Sequence, residues 1–155
     1  MAKRRDESQE RPGTPENYEL LIKEAHIDTF GHVNNAVYLA LFEEARWDMI
    51  TRNGFGLKEI QSRAMGPVVL EAKLRFHHEV KNRDRVTIRT QSGDYRGRIG
   101  RLYQTMFLSD GAPACSAEFV IGFMDLKSRQ LIRPPAEWLT AVGYPDKAVQ
   151  TSSGK

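Results

Sequence analysis

NAVYLALFEEARWDMIT, residues 35–51, is the stretch that decides how this chain folds. Tyr38, Phe42, Ala45 and Met49 recur at helical spacing, with Val37 and Leu41 beside them. Ala40, Glu44 and Asp48 form a more polar stripe. The run Ala36 to Phe42 is uninterrupted apolar sequence, so the spacing predicts a helix that is largely enclosed rather than laid on a surface. NGFG at 53–56 ends it, and LKEIQSR at 57–63 adds a short helical turn. Glu43 stands in register with Leu39, Trp47 and Ile50 and is expected to be partly enclosed, with Arg46 three residues on as its ion-pair partner.

Something must wrap this helix, and the rest of the chain supplies strands. YELLIKEAHI, residues 18–27, alternates imperfectly and reads as a first strand. In VVLEAKLRFH, residues 68–77, Val68, Leu70, Ala72, Leu74 and Phe76 alternate with Val69, Glu71, Lys73, Arg75 and His77. Period two over that length predicts one buried face. DRVTIRTQ repeats the pattern with Val86 and Ile88 inward. RLYQTMFLS leads into Asp110-Gly111, a hairpin signal. ACSAEFVIGFMDL then sets Ala117, Phe119, Ile121 and Phe123 on one side, and PPAEWLTAVG closes with a short helix. The order is strand, long helix, then four antiparallel strands: an α+β layout in which a curved sheet wraps a helix. Expected boundaries are a disordered tail over 1–16, one domain over 17–143 and a polar tail over 144–155.

Bulk properties narrow the function classes. One cysteine, Cys115, excludes an internal disulfide and suits a reducing compartment. No apolar run approaches the roughly 20 residues of a membrane span, and the N-terminus lacks the apolar centre of a secretory signal. A cytoplasmic protein without membrane association is expected. Net charge is +3. Between Lys73 and Tyr103, however, nine basic residues face three acidic ones, leaving the remainder net negative. A cationic middle on a mildly acidic body points to an anionic, phosphate-bearing ligand. Four basic and four acidic residues cancel within 1–16, so no nucleic-acid arm is expected there.

The chemistry concentrates just before the helix, in DTFGHVNN, residues 28–35. Asn34 or Asn35 can cap the helix by accepting a first-turn N–H. Other first-turn N–H groups then point outward in positive potential, where a carbonyl oxygen gaining negative charge can be held. Asp28 lies a few residues earlier on a loop tightened by Gly31, placed to attack such a carbonyl or to activate a water. It is equally suited to an Asx turn. His32 can orient substrate or bond to the backbone. No G-x-S-x-G elbow appears, Cys115 has no neighbouring histidine in sequence, and His26, His32, His77 and His78 lack metal-ligand spacing. The pair His77-His78 reads as a solvated strand end.

HIDTFGHVNNAVYLALFEEAR, residues 26–46, resembles the first motif of hotdog-fold acyl-CoA thioesterases of the 4-hydroxybenzoyl-CoA thioesterase type, and the resemblance continues over about residues 18–140. It implies a hotdog fold, a curved five-stranded antiparallel sheet around a long central helix. It also implies a homodimer, with a homotetramer as a further arrangement, and active sites at the dimer interface. The implied activity is hydrolysis of an acyl-CoA thioester with no metal and no cofactor, coenzyme A being part of the substrate. The family's catalytic aspartate falls on Asp28 and its carbonyl-polarising N–H at about Asn35, with His32 and Asn34 positioning the loop. Gly31 sits in the substrate loop, and the basic residues that grip the CoA phosphates fall on Arg96 and Arg98. The HVNN form is also similar to acyl-ACP thioesterases, whose loop carries an Asn where Phe30 stands here. Two rival readings follow: an acyl-carrier-protein thioesterase, and a non-catalytic acyl-CoA-binding module.

Overall fold

The computed structural model describes residues 12–145. In chain order the elements are β1 (Glu16–Leu21), a 3-10 turn (Glu24–His26), α1 (Val37–Arg52), α2 (Leu57–Arg63), β2 (Met65–Phe76), β3 (Arg85–Arg96), β4 (Ile99–Phe107), β5 (Pro113–Asp125), β6 (Gln130–Leu131) and α3 (Ala136–Ala141). The strands form one antiparallel sheet in the order β1-β3-β4-β5-β2, with the two-residue β6 pairing beside β5. The consecutive strands β1 and β2 therefore occupy opposite edges. The chain between them has to cross a face of the sheet, and it lays α1 there. This is the hotdog arrangement.

The helix buries the residues its periodicity selects. Tyr38, Leu41, Phe42, Ala45, Met49 and Ile50 are buried, and the Phe42 ring meets Phe119 of β5 edge-on at 6.3 Å. Its polar stripe is used as well: the Tyr18 hydroxyl on β1 donates to Glu44, and Arg52 bonds Asp48 and Glu16. In β5, Ala117, Phe119, Ile121 and Phe123 all point inward, as do Val86 and Ile88 in β3. The Asp110-Gly111 turn joins β4 to β5, with Gly111 at φ +87° and the Asp110 carboxylate accepting the Ala112 N–H. A second aromatic cluster fills the far end of α1, where Phe55, Phe123 and Trp138 stack within 6 Å of one another.

Four expectations need correcting. β1 stops at Leu21 instead of running to Ile27, because the chain turns through the 3-10 segment there. β2 does not bury one face: its register with β5 shifts between Val69 and Glu71, and as an edge strand it has a neighbour on one side only. Phe76 is 56% exposed, and Val69 and Leu70 are also largely open. Glu43 is exposed, and Arg46 does not pair with it. The Arg46 guanidinium instead lies 4.5 Å over the Phe119 ring and donates to Gln104 Oε1 at 2.8 Å. Finally, the ordered chain is longer than 17–143. The Gly13 N–H donates to Ser92 and the Thr14 N–H to Gly143, while Tyr144 is buried with its hydroxyl on the Gly93 carbonyl. The rest of both expected tails lies outside the described residues.

Gln104 is the polar centre of the core and is 1% exposed. Its amide donates to the Phe42 carbonyl and to Thr90 Oγ1, while its oxygen accepts from Arg46. All its strong hydrogen-bonding positions are thus engaged, which is what burial of an amide demands.

Candidate active site

The loop before α1 is built from its own backbone. The Asp28 N–H donates to the His32 carbonyl and the Gly31 N–H returns to the Asp28 carbonyl, closing a tight turn. Gly31 sits at φ +81°, where a Cβ would be strained. Asp28 Oδ1 accepts the Phe30 N–H at 2.9 Å, so the Asx turn is real, yet it uses only one carboxylate oxygen. Val33 hydrogen-bonds the Val80 carbonyl and is buried, which anchors the loop to the segment after β2.

Asn34 closes a turn before the helix, and the cap position falls on Ala36. Its side-chain oxygen accepts the Ala36 N–H at 2.9 Å and its carbonyl accepts the Val37 N–H, leading the chain into α1. That turn leaves out Asn35, whose N–H meets no acceptor among the described residues. This free donor stands at the positive end of a sixteen-residue helix.

Asp28, Phe30, His32, Val33, Asn35, Tyr38, Phe76, His77, His78 and Glu79 surround one open pocket of about 430 Å³. The structure therefore brings Asp28, His32 and Asn35 together. Asn34 and Gly31 shape the loop from behind and do not line the pocket. The His32 imidazole is committed to Glu79 at 3.0 Å. His77 bonds Ser116 Oγ and His78 bonds the Pro113 carbonyl; both are exposed just past the end of β2, as expected of a solvated strand end, and both also line the pocket. The sequence alone leaves Glu79 unread and gives His77 and His78 only as a strand end, although an acid beside two histidines at the end of an alternating strand is the signal. Phe30, 87% exposed, stands over the pocket with nothing covering it.

Arg96 and Arg98 are not part of this pocket. They lie on the exposed β3–β4 turn, Arg96 paired with Asp94 at 2.9 Å. Strand register puts that turn level with Ile121 of β5, and the pocket level with Cys115. Six residues of strand separate those levels, about 20 Å. Cys115 is buried, and burial pushes its thiol up to about 12, so it is no nucleophile. Among the described residues no cluster of His, Cys, Asp or Glu could hold a metal, and no helix is long and apolar enough to cross a membrane.

A sequence model of the thioesterase-like superfamily matches residues 23–142, from the start of the 3-10 turn to the end of α3. The chain belongs to the thioesterase-like superfamily. Among curated relatives of this superfamily member, the long-chain acyl-CoA thioesterase FadM of Escherichia coli (strain K12) is 28% identical over 115 residues, covering 74% of this chain and 86% of that one. A hypothetical protein from Staphylococcus aureus, solved in complex with CoA, superposes with a TM-score of 0.79 at 21% identity, covering 87% and 85% of the two chains. YbaW, a probable thioesterase from Escherichia coli, superposes at 0.74 with 25% identity, covering 81% and 98%. The superfamily match contains the whole pocket loop and all of α1.

Proposed function

We propose that this chain is an acyl-CoA thioesterase that hydrolyses its substrate to a free acid and CoA, with the reaction centred on Asp28 and the start of α1. One observation carries the reading: a half-used carboxylate and an unbonded helix-start N–H line the same pocket. The thioester carbonyl oxygen accepts from the Asn35 N–H, which stabilises the charge that develops on that oxygen. Asp28 attacks the carbonyl carbon directly, or removes a proton from a water that does so. The C–S bond breaks, and the thiolate of CoA leaves and takes up a proton. In the direct route water then hydrolyses the acyl–Asp28 anhydride. Similarity to a long-chain acyl-CoA thioesterase, and fold likeness to a protein solved with CoA, support CoA as the carrier.

The CoA grip requires a second copy. Arg96 and Arg98 lie about 20 Å along the sheet from the level of the pocket in one protomer, but β2 is a twelve-residue edge strand with Val69, Leu70 and Phe76 exposed. Such an edge is a template for pairing. Antiparallel pairing of two β2 edges about their middle carries one protomer's β3–β4 turn toward the other's pocket. The arginine fork then meets the phosphates bidentately.

The experiment is free-thiol release across acyl-CoAs of different length and shape, with Asp28→Asn beside wild type. Turnover by the wild type and its near-abolition in the variant are expected. An unchanged rate in Asp28→Asn removes the assignment. Hydroxylamine capture of an acyl group on Asp28 identifies the direct route. Leu70→Lys should yield a monomer in sedimentation and, with it, a raised KM for CoA substrates.

A further inference from the structure

A second cavity, about 320 Å³, lies under the far half of α1. Its wall includes Trp47 and Ile50 of α1, Val68 and Val69 of β2, Tyr95 of β3 and Trp138 of α3. Two polar atoms in that wall are buried with no hydrogen-bond partner among the described residues: the Tyr95 hydroxyl and the Trp138 indole N–H. Trp138 is 4% exposed. The two groups are neighbours: the indole N–H faces the phenol oxygen as a donor and works against the rise that burial imposes on it, which leaves the Tyr95 O–H as the donor with no acceptor among the described residues. Buried polar atoms are almost always satisfied, so a hydroxyl proton left without an acceptor in the wall of a cavity marks where a ligand atom belongs. An indole N–H can only donate and a tyrosine hydroxyl can donate. The missing partner is therefore an acceptor.

Geometry relates this cavity to the reaction centre. Asn35 lines the first pocket and Glu43 and Trp47 line the second, all on one side of α1 at four-residue spacing, with the 41% exposed Leu39 between them. At 1.5 Å per residue, Asn35 and Glu43 are about 12 Å apart along the axis, the span of roughly ten extended chain atoms.

We propose that this cavity receives the far end of the acyl group, and that the Tyr95 hydroxyl, backed by Trp138, donates a hydrogen bond there to a neutral oxygen near the end of a chain longer than about ten atoms. The substrate class is then an oxygenated medium- to long-chain acyl thioester, with a hydroxyl or carbonyl at its distal end. A neutral oxygen fits better than a carboxylate, because among the described residues the cavity offers no unengaged cation: Arg101 in its wall is paired with Glu118. Arg46 also lines the cavity, but its guanidinium is held by Gln104 and the Phe119 ring. The inference rests on the thioesterase reading, since it places the carbonyl end of the same substrate at Asn35.

The test is binding of the product acid, which needs no turnover. The protein's two tryptophans both line the cavity, so intrinsic emission reports its occupancy. An ω-hydroxy fatty acid and the unsubstituted acid of the same length are titrated into wild type and Tyr95→Phe, over a series of chain lengths. At one length the hydroxy acid should bind about ten-fold tighter to wild type, the worth of one buried hydrogen bond. That ratio should fall to about two or less in Tyr95→Phe. Equal binding of the two acids at every length, no response to either, or a ratio that survives in Tyr95→Phe overturns the proposal. If thioesters are hydrolysed while the ratio is one, this inference fails alone. If the ratio appears while no acyl-CoA is turned over, the thioesterase reading fails and the cavity stands.

Discussion

The two ends of α1 are made for different work. At its start the chain leaves groups open: one carboxylate oxygen of Asp28, the Asn35 N–H and an uncovered Phe30 surround a wide pocket. At its far end Phe55, Phe123 and Trp138 close on one another, and Phe55 and Phe123 are no more than 1% exposed. The contrast teaches where stability and chemistry are stored. Substitution of Asp28 at the start should change rate and spare the fold, and substitution of Phe55 at the far end should show first as lost stability.

The strongest challenge to that contrast is Asp28→Asn. The amide oxygen still accepts the Phe30 N–H, so thermal unfolding should match wild type while kcat falls by about 10²–10⁴-fold, the usual worth of a positioned acid–base group. A large drop in melting temperature would mean the carboxylate is structural. Next comes Phe55→Ala, which opens a hole beneath Phe123 and Trp138. It should cost about 3–5 kcal/mol in denaturant unfolding. Gln104→Leu strips the partner from Arg46 and the donors from Phe42 and Thr90, and should cost about 1–3 kcal/mol. A neutral effect there would mean the network can be replaced by packing alone. The smallest change is Asn34→Ala, expected to lose about 1 kcal/mol of stability. Because the lost Asn34 bond also fixes the turn that carries the Asn35 N–H, kcat should fall with it. A stability loss without a rate loss would separate this turn from the reaction centre.

What the sequence revealed follows the range of the interactions involved. The helix over 35–51 and the inward faces of β3 and β5 were legible because burial there repeats with the local period of the backbone. The helix cap was only half legible: Asn34 bonds a group two residues away, but it closes a turn before the helix and the cap position falls on Ala36. β2 defeated the same reading, because its edge position and the shift after Val69 are properties of its neighbours. Spacing pointed Arg46 at Glu43, but a ring and an amide on β5 and β4 hold it instead. Asp28, His32 and Asn35 could be grouped from one loop. Glu79 and the histidines beside it could not, since they reach the pocket from the far side of β2. The cavity was invisible for the same reason, as Tyr95 and Trp138 come from elements forty residues apart in order of magnitude.

The placement of β1 and β2 on opposite edges also sets a timetable for folding. Glu16 pairs with Thr90, so the first strand finds its partner only after a loop of about seventy residues has closed. The β3–β4–β5 meander needs only short hairpin closures. Contacts so distant in sequence make for slow folding. The loop carrying Asp28 hangs directly from β1, so on refolding from denaturant the return of turnover should lag the return of strand signal. In this chain, activity reports completion.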